Sequence, residues 1–390
     1  MGSLYHTTKR NSIPEGWRKL KLGSVFSLSS GNSKPENTIS ILTDENEIPV
    51  YGGNGVLGYT DKCQDVGEQL VIGRVGINCG NIYYINGPYW ITDNALYARE
   101  WKTEVIIKYI CYHLSFLNLG KLRSKTGQPL VSQKPIYDLQ ISLPPICEQQ
   151  KISQILSTWD RAIERVQRLI EAKQRQKNQL VSRLLSGQMR FPGFQDEWKQ
   201  VNLGAFLHPK FRKVVKPVGA YLRLGIRSHG KGTFTSVVDD PETIALTHLF
   251  QARKDDLIVN ITFAWEGAIA LVGPDGDGAL VSHRFPTYVF DTSKMLPDYF
   301  KHLMVTDRFF YELDLISPGG AGRNRVMNKG DFLKITVTVP DIEEQKKIAG
   351  VLGGMDEQIA LLKKYLERLK EQKKGLMQKL LTGEIRVKVD

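Results

Sequence analysis

A chain of 390 residues is long enough for two or three domains with real cores. Its 53 Lys and Arg against 41 Asp and Glu leave a net charge of +12, which favours an anionic partner, and 41% hydrophobic with 24% charged residues excludes a disordered chain. No run of 18 or more apolar residues is present, so no membrane partner is expected, and the polar stretch 1–12 lacks the apolar core of a secretory signal. Cys63, Cys79, Cys111 and Cys147 lie 16, 32 and 36 residues apart with no CxxC pair or Cys/His cluster, so neither a metal site nor a disulfide framework is expected. A reducing, intracellular compartment is the natural setting.

In chain order, a tail (1–12) precedes a first globule (13–147) that opens on Trp17 and Leu22-Gly23. Short β-rich runs are expected at 69–73 and 81–85, a helix at 104–118, and a closing apolar strand into Pro144-Pro145. A long spacer helix (148–190) follows, its apolar seam formed by Ile152, Leu156, Trp159, Ile163, Val166, Ile170, Leu180 and Leu184, with Lys173 and Lys177 in the intervening slots. The second globule (191–343) is expected to hold strands at 256–262 and 268–272 and a helix at 297–313. A second long helix with a C-terminal tail (344–390) carries the seam Ile348, Leu352, Met355, Ile359, Leu362, Leu366, Leu369, Leu376 and Leu380. Alternating steps of four and three over more than four heptads are the pattern of a coiled coil. Gly187 and Gly383 stand where each helix would stop. A helix from 148 to 186 would be roughly 58 Å long at 1.5 Å per residue.

The chain is written twice. Glu148-Gln149-Gln150-Lys151-Ile152 returns 196 positions later as Glu344-Gln345-Lys346-Lys347-Ile348, and Ser186-Gly187-Gln188-Met189-Arg190 returns as Thr382-Gly383-Glu384-Ile385-Arg386. Trp17 and Leu22-Gly23 lie 181 before Trp198 and Leu203-Gly204. The fold class is therefore α+β, with two mixed α/β domains separated by two long helices. Each helix leads away from its own globule, so an antiparallel coiled coil with an internal pseudo-two-fold repeat is the simplest path. Two ordinary amphipathic helices on separate cores are the alternative.

Two dissimilar globules, each opening near a Trp and Leu-Gly and closing before Glu-Gln-Gln/Lys-Lys-Ile, with near-identical helices ending Leu-Leu-Ser/Thr-Gly, resemble the specificity (S) subunit of type I restriction-modification systems, the HsdS family. The resemblance covers 13–388. It implies two target-recognition domains, each reading half of a bipartite asymmetric site on double-stranded DNA. It also implies helices that set the half-site spacing and dock two methyltransferase subunits, with motor-nuclease subunits joining for restriction. It implies no catalytic residue and no cofactor on this chain. S-adenosylmethionine would sit on the methyltransferase, ATP and Mg on the motor nuclease, and the assembly would be cytoplasmic in a bacterium or archaeon. A modification-only or other phage-defence methyltransferase system, or a coiled-coil scaffold with protein-binding globules, remains the alternative.

Enzyme motifs are weak by comparison. Pro144-Pro145 lies between Leu143 and Ile146, so the Asn/Asp-Pro-Pro-Tyr/Phe motif of an adenine methyltransferase is missing, and a chain-reversal role is favoured. Gly53-Asn54-Gly55-Val56-Leu57-Gly58 matches GxGxxG without the acid that a dinucleotide site needs about 20 residues on. Gly225 to Lys231 approaches a P-loop, but Gly232 replaces the magnesium-binding Ser/Thr. Pro340-Asp341 with Glu344-Gln345-Lys346 fits a helix N-terminus better than a nuclease carboxylate cluster.

Base readers are drawn from Arg, Lys, Asn and Gln on loops, with apolar contacts to thymine methyls. In the first globule the candidates are Arg74, Asn78, Lys121, Arg123, Lys125 and Gln128. In the second they are Arg223, Arg227, His229, Lys231, Trp265, His283, Arg284, Arg323, Asn324 and Arg325. Ile261 stands where the first copy has Arg74, so the two globules should read different half-sites. The helical windows 148–190 and 344–386 carry net charges of +5 and +4, leaving only +3 of the +12 for everything else. The basic balance thus belongs mostly to the helices, available to an acidic partner surface or to spacer phosphates.

Overall fold

The computed structural model describes residues 5–7, 13–124, 127–319 and 325–389. It divides into two compact units, one of residues 1–168 with 364–390 and one of residues 169–363. Each long helix is shared between the units: Ile146–Leu185 and Ile342–Leu381 both run 40 residues without a break. Gly187 and Gly383 follow them with φ of 72° and 73°, the left-handed conformation that ends a helix and that a Cβ disfavours. Among the described residues, no helix is long and apolar enough to cross a membrane.

The first unit is built on a six-stranded sheet in the order Phe26–Ser30, Ala95–Trp101, Asp65–Gly73, Ile82–Ile91, Ile48–Gly52 and Gly55–Thr60. The strand Asp65–Gly73 is buried on both faces over its last five residues. Its Leu70 and Ile72 pack with Tyr109, Ile110 and Leu114 of the helix Ile107–Leu117, while Val71 joins Ile85, Tyr89 and Ile91 on the opposite face. The second unit divides its outer strands between two sheets. Four run Leu207–Pro209, Thr287–Phe290, Leu257–Val259 and Ile269–Leu271; five run Lys213–Val215, His248–Gln251, Leu280–Val281, Tyr221–Ile226 and Thr233–Val238.

The expected strand at 256–262 is only Leu257–Val259, because Asp256 is drawn into a buried ion pair with Arg212 (2.5 Å) and Asn260 opens a turn. The helix expected at 297–313 is two, Pro297–Leu303 and Asp307–Leu315, because Thr306 caps the second by accepting from the Phe309 amide (3.3 Å). Neither nucleotide-like motif has the strand–loop–helix context it requires: residues 53–58 and 225–231 both lie in β-hairpins.

The two units share a common base. In the first, Arg18–Lys21 pairs antiparallel with Gln140–Leu143; in the second, Lys199–Asn202 pairs with Thr336–Val339 in the same way. Above it, the start of one long helix meets the end of the other. The buried Glu148 carboxylate accepts from the Trp17 indole (3.2 Å) and from Arg386 through Nη2 and Nε (3.3 Å). Glu344, equally buried, accepts from the Trp198 indole (3.1 Å) and from Arg190 through Nη2 (2.7 Å) and Nε (3.0 Å). The neighbouring glutamines anchor the globules: Gln149 accepts from the Ile106 amide (2.9 Å) and donates to the Pro144 carbonyl (2.8 Å). Gln345 does the same with Leu296 (3.0 Å) and Pro340 (3.0 Å).

Within each unit the helical segments run antiparallel. Ile152 and Leu156 share a core with Leu376 and Leu380 in the first, and Leu180 and Leu184 with Ile348 and Leu352 in the second. Trp159, Ile163, Val166, Ile170, Met355 and Leu362 are half-buried, and Ile359, Leu366 and Leu369 are buried. Polar pairs punctuate this apolar seam at equivalent places: Lys373 to Asp160 (2.5 Å) in the first unit and Lys177 to Asp356 (2.5 Å) in the second. One lysine of each long helix is thereby turned inward, while most of the others are exposed.

Two predictions follow from this packing. Arg386→Ala leaves the Glu148 carboxylate buried and uncompensated, a loss of about 3 kcal/mol that urea unfolding should register, with Arg386→Lys intermediate. Burial pushes His113 and His302 down to about 4, and neither ring nitrogen of His113 has a hydrogen-bond partner among the described residues. The unfolded chain then binds more protons below the ordinary histidine value near 6.5, so stability holds above that pH and declines toward pH 4. The unfolding midpoint should fall across this window, and His113→Phe should flatten the fall.

Candidate nucleic-acid interface

In the first unit the polar candidates gather on two braced loops. The turn after Asp65–Gly73 is closed by Gly80 N to Gly73 O (2.8 Å) and Cys79 N to Gly76 O (3.0 Å). It is tied to a second loop by Gly76 N to Pro129 O (2.9 Å) and Val131 N to Arg74 O (2.9 Å). Asn118, left-handed at φ 57°, ends the helix Ile107–Leu117 and turns the chain into Leu119–Leu122, which presents Lys121. Asn78, Lys121 and Arg123 are exposed and line one shallow depression of about 750 Å³ with Ile77, Asn81 and Ser124. Gln128 is exposed nearby, its carbonyl accepting from Ser124 Oγ (3.2 Å). Arg74 is half-buried and donates to Ser30 Oγ (2.8 Å), so it braces the loop. Lys125 lies outside the described residues.

In the second unit the candidates surround the turn Ala264–Glu266. The hairpin joining Tyr221–Ile226 to Thr233–Val238 docks there through His229 N to Glu266 O (2.7 Å) and Ser228 Oγ to Glu266 Oε2 (2.9 Å). His229 is left-handed at φ 61°, and it and Lys231 are exposed at the hairpin tip. Arg227 donates to Thr233 O (2.5 Å) and lies over the Phe234 ring, while Arg223 is exposed on the strand beside Ser236. Arg284, exposed beside His283, donates to Thr262 Oγ1 (3.1 Å), and the Trp265 indole donates to Thr262 O (3.2 Å).

Arg325 is committed inward. It donates to the carbonyls of Ser317 (2.9 Å) and Asp314 (2.9 Å), pairs with the Asp314 carboxylate (2.8 Å) and covers the Trp265 ring at 5.2 Å. It buttresses the loop; Arg323 and Asn324 lie outside the described residues. Ile77 and Asn118 carry no charge signal in the sequence, the one an exposed apolar residue and the other a left-handed Asn. Arg325→Ala should cost about 2 kcal/mol in unfolding free energy by removing these charge-assisted bonds, whereas Lys231→Ala, at an exposed hairpin tip, should be near neutral.

The chain matches known proteins along its length. Relatives include the type I restriction enzyme MjaVIII specificity subunit of Methanocaldococcus jannaschii, 23% identical, with 96% of this chain and 94% of the relative covered. The EcoprrI specificity subunit of Escherichia coli is 31% identical over 147 residues, covering 37% of this chain and 36% of that one. The crystal structure of a type I restriction-modification system S subunit from M. genitalium shares the fold, with a TM-score of 0.64 at 17% identity over 96% of this chain and 98% of that one. The family model of the type I restriction modification DNA specificity domain matches twice, at residues 14–174 and 221–371. With both copies matched, the chain belongs to the type I restriction-modification specificity-subunit family, and its two target-recognition domains are repeats of one domain.

Proposed function

We propose that each unit reads one half of a bipartite, asymmetric site on double-stranded DNA, and that the paired helices fix the distance between halves and dock two methyltransferase subunits. Motor-nuclease subunits join for restriction. The chain contributes recognition and no catalytic group: S-adenosylmethionine is handled by the methyltransferase, and ATP with Mg by the motor nuclease, in the cytoplasm of a bacterial or archaeal cell.

One observation carries this reading. The anchors repeat almost atom for atom, Glu148–Arg386–Trp17 against Glu344–Arg190–Trp198, while the outer sheets differ, six strands against four and five. A protein that docks two copies of one partner needs equivalent anchors, whereas a reader of two unlike half-sites needs dissimilar surfaces. A scaffold binding identical proteins through its globules would not need that difference.

Two experiments test the reading. Lys121→Ala with Arg123→Ala removes two phosphate contacts, so the slope of log affinity against log salt should shrink by about 1.8, equally for all sequences; an unchanged slope contradicts phosphate binding there. Purified chain incubated with labelled S-adenosylmethionine and DNA should transfer no methyl group. Transfer by the chain alone would overturn the division of labour.

A further inference from the structure

We propose that the first unit reads an A·T base pair in its half-site, with Asn78 facing the adenine and Ile77 the thymine methyl, and with Asn54 as a positioning residue. This rests on the DNA-reading role proposed above.

The glycine-rich motif at 53–58, which serves no nucleotide, explains how the amides meet. Its turn lies backbone to backbone against the turn that carries Asn78: a Cβ on Gly53 would fall 2.4 Å from the Val75 carbonyl oxygen, and one on Gly73 would fall 2.2 Å from that of Gly53. Only glycines permit this approach, and it brings Asn54 Oδ1 within reach of Asn78 Nδ2, which donates to it. Asn78 keeps its side-chain Oδ1 and the second Nδ2 hydrogen without a partner among the described residues. That acceptor and donor match the amino group and N7 of adenine in the major groove. Because one N–H is already fixed, the amide is oriented before DNA arrives, which lowers the ordering cost of binding.

Ile77, beside it, is 82% exposed. A single exposed isoleucine is ordinary on a protein surface, but this one sits on a turn held by the backbone bonds described above. Thymine, opposite adenine, offers a methyl group in the same groove. The flanking depression is lined by Lys121 and Arg123 and, among the described residues, by no carboxylate, which suits the adjoining phosphates. Arg74, at the start of the same turn, is bound to Ser30 and is not free to select guanine there.

The test is selection from a random-sequence duplex pool by the full chain, alone and assembled with its methyltransferase subunits, followed by sequencing of the bound DNA. Wild type should enrich a split motif. Asn78→Ala should relax one A·T position in one half only, by roughly tenfold to a hundredfold, and Ile77→Ala should relax the same or the adjoining position. Asn54→Ala should weaken the same preference, and Asn54→Asp, which keeps the accepting oxygen, should restore it. Both 77 and 78 are exposed, so unfolding midpoints should match wild type. Relaxation at a G·C position, or an unchanged motif, overturns the assignment and leaves the DNA-reading role standing. A wild-type chain that enriches no motif in either form overturns the role itself.

Discussion

A buried carboxylate that must be neutralised from two distant parts of the chain organises each half of this protein. Glu148 and Glu344 are 2% and 0% exposed, and a carboxylate at that depth is tolerated only when paired and hydrogen-bonded. The guanidinium that satisfies each one lies just past the end of the other long helix, and the indole lies at the opening of the globule. The first unit is therefore built from two separate segments, and the second must reach back into the first long helix. Residues 364–390 belong with the first globule, and residues 169–185 complete the second.

The glutamine that follows each glutamate extends this logic into the globule. Its side chain accepts from the amide just ahead of the globule's own helix and donates to the carbonyl of the proline before the long helix, in both copies. Five-residue repeats in the sequence are thus sockets. One residue grips the far helix, the next grips the globule, and the isoleucine three positions on enters the core. The seam carries its own polar markers, Lys373–Asp160 and Lys177–Asp356; polar groups in a helical seam favour one register over others.

The reading surfaces obey a different rule. They stand on loops braced by backbone hydrogen bonds and by cations that face inward, Arg74 in the first unit and Arg325 in the second, which leaves the exposed groups free for a partner. The charge count fits the proposed reading: with most of the excess on the helices, the globules offer a few local cations rather than a broad basic field. Several helical cations are in turn spent inside the protein, on Glu148, Glu344, Asp160 and Asp356.

The duplication, the long helices with their stops at Gly187 and Gly383, the apolar seam and the family were legible in the sequence, because each rests on local periodicity or on short motifs whose spacing survives without coordinates. Tertiary structure alone decided which arginines face solvent. Arg325 and Arg227 read the same in the sequence, yet one is consumed by Asp314, Ser317 and Trp265 and the other is exposed beside a hairpin tip. It also decided that one expected helix would break at Thr306, that a lone glycine motif would serve as a close backbone contact, and that the six-stranded plan of one globule would become two sheets in the other. Seam and stop signals act over a few residues. Pairing of a buried charge depends on groups more than a hundred positions away, and only the folded chain brings them together.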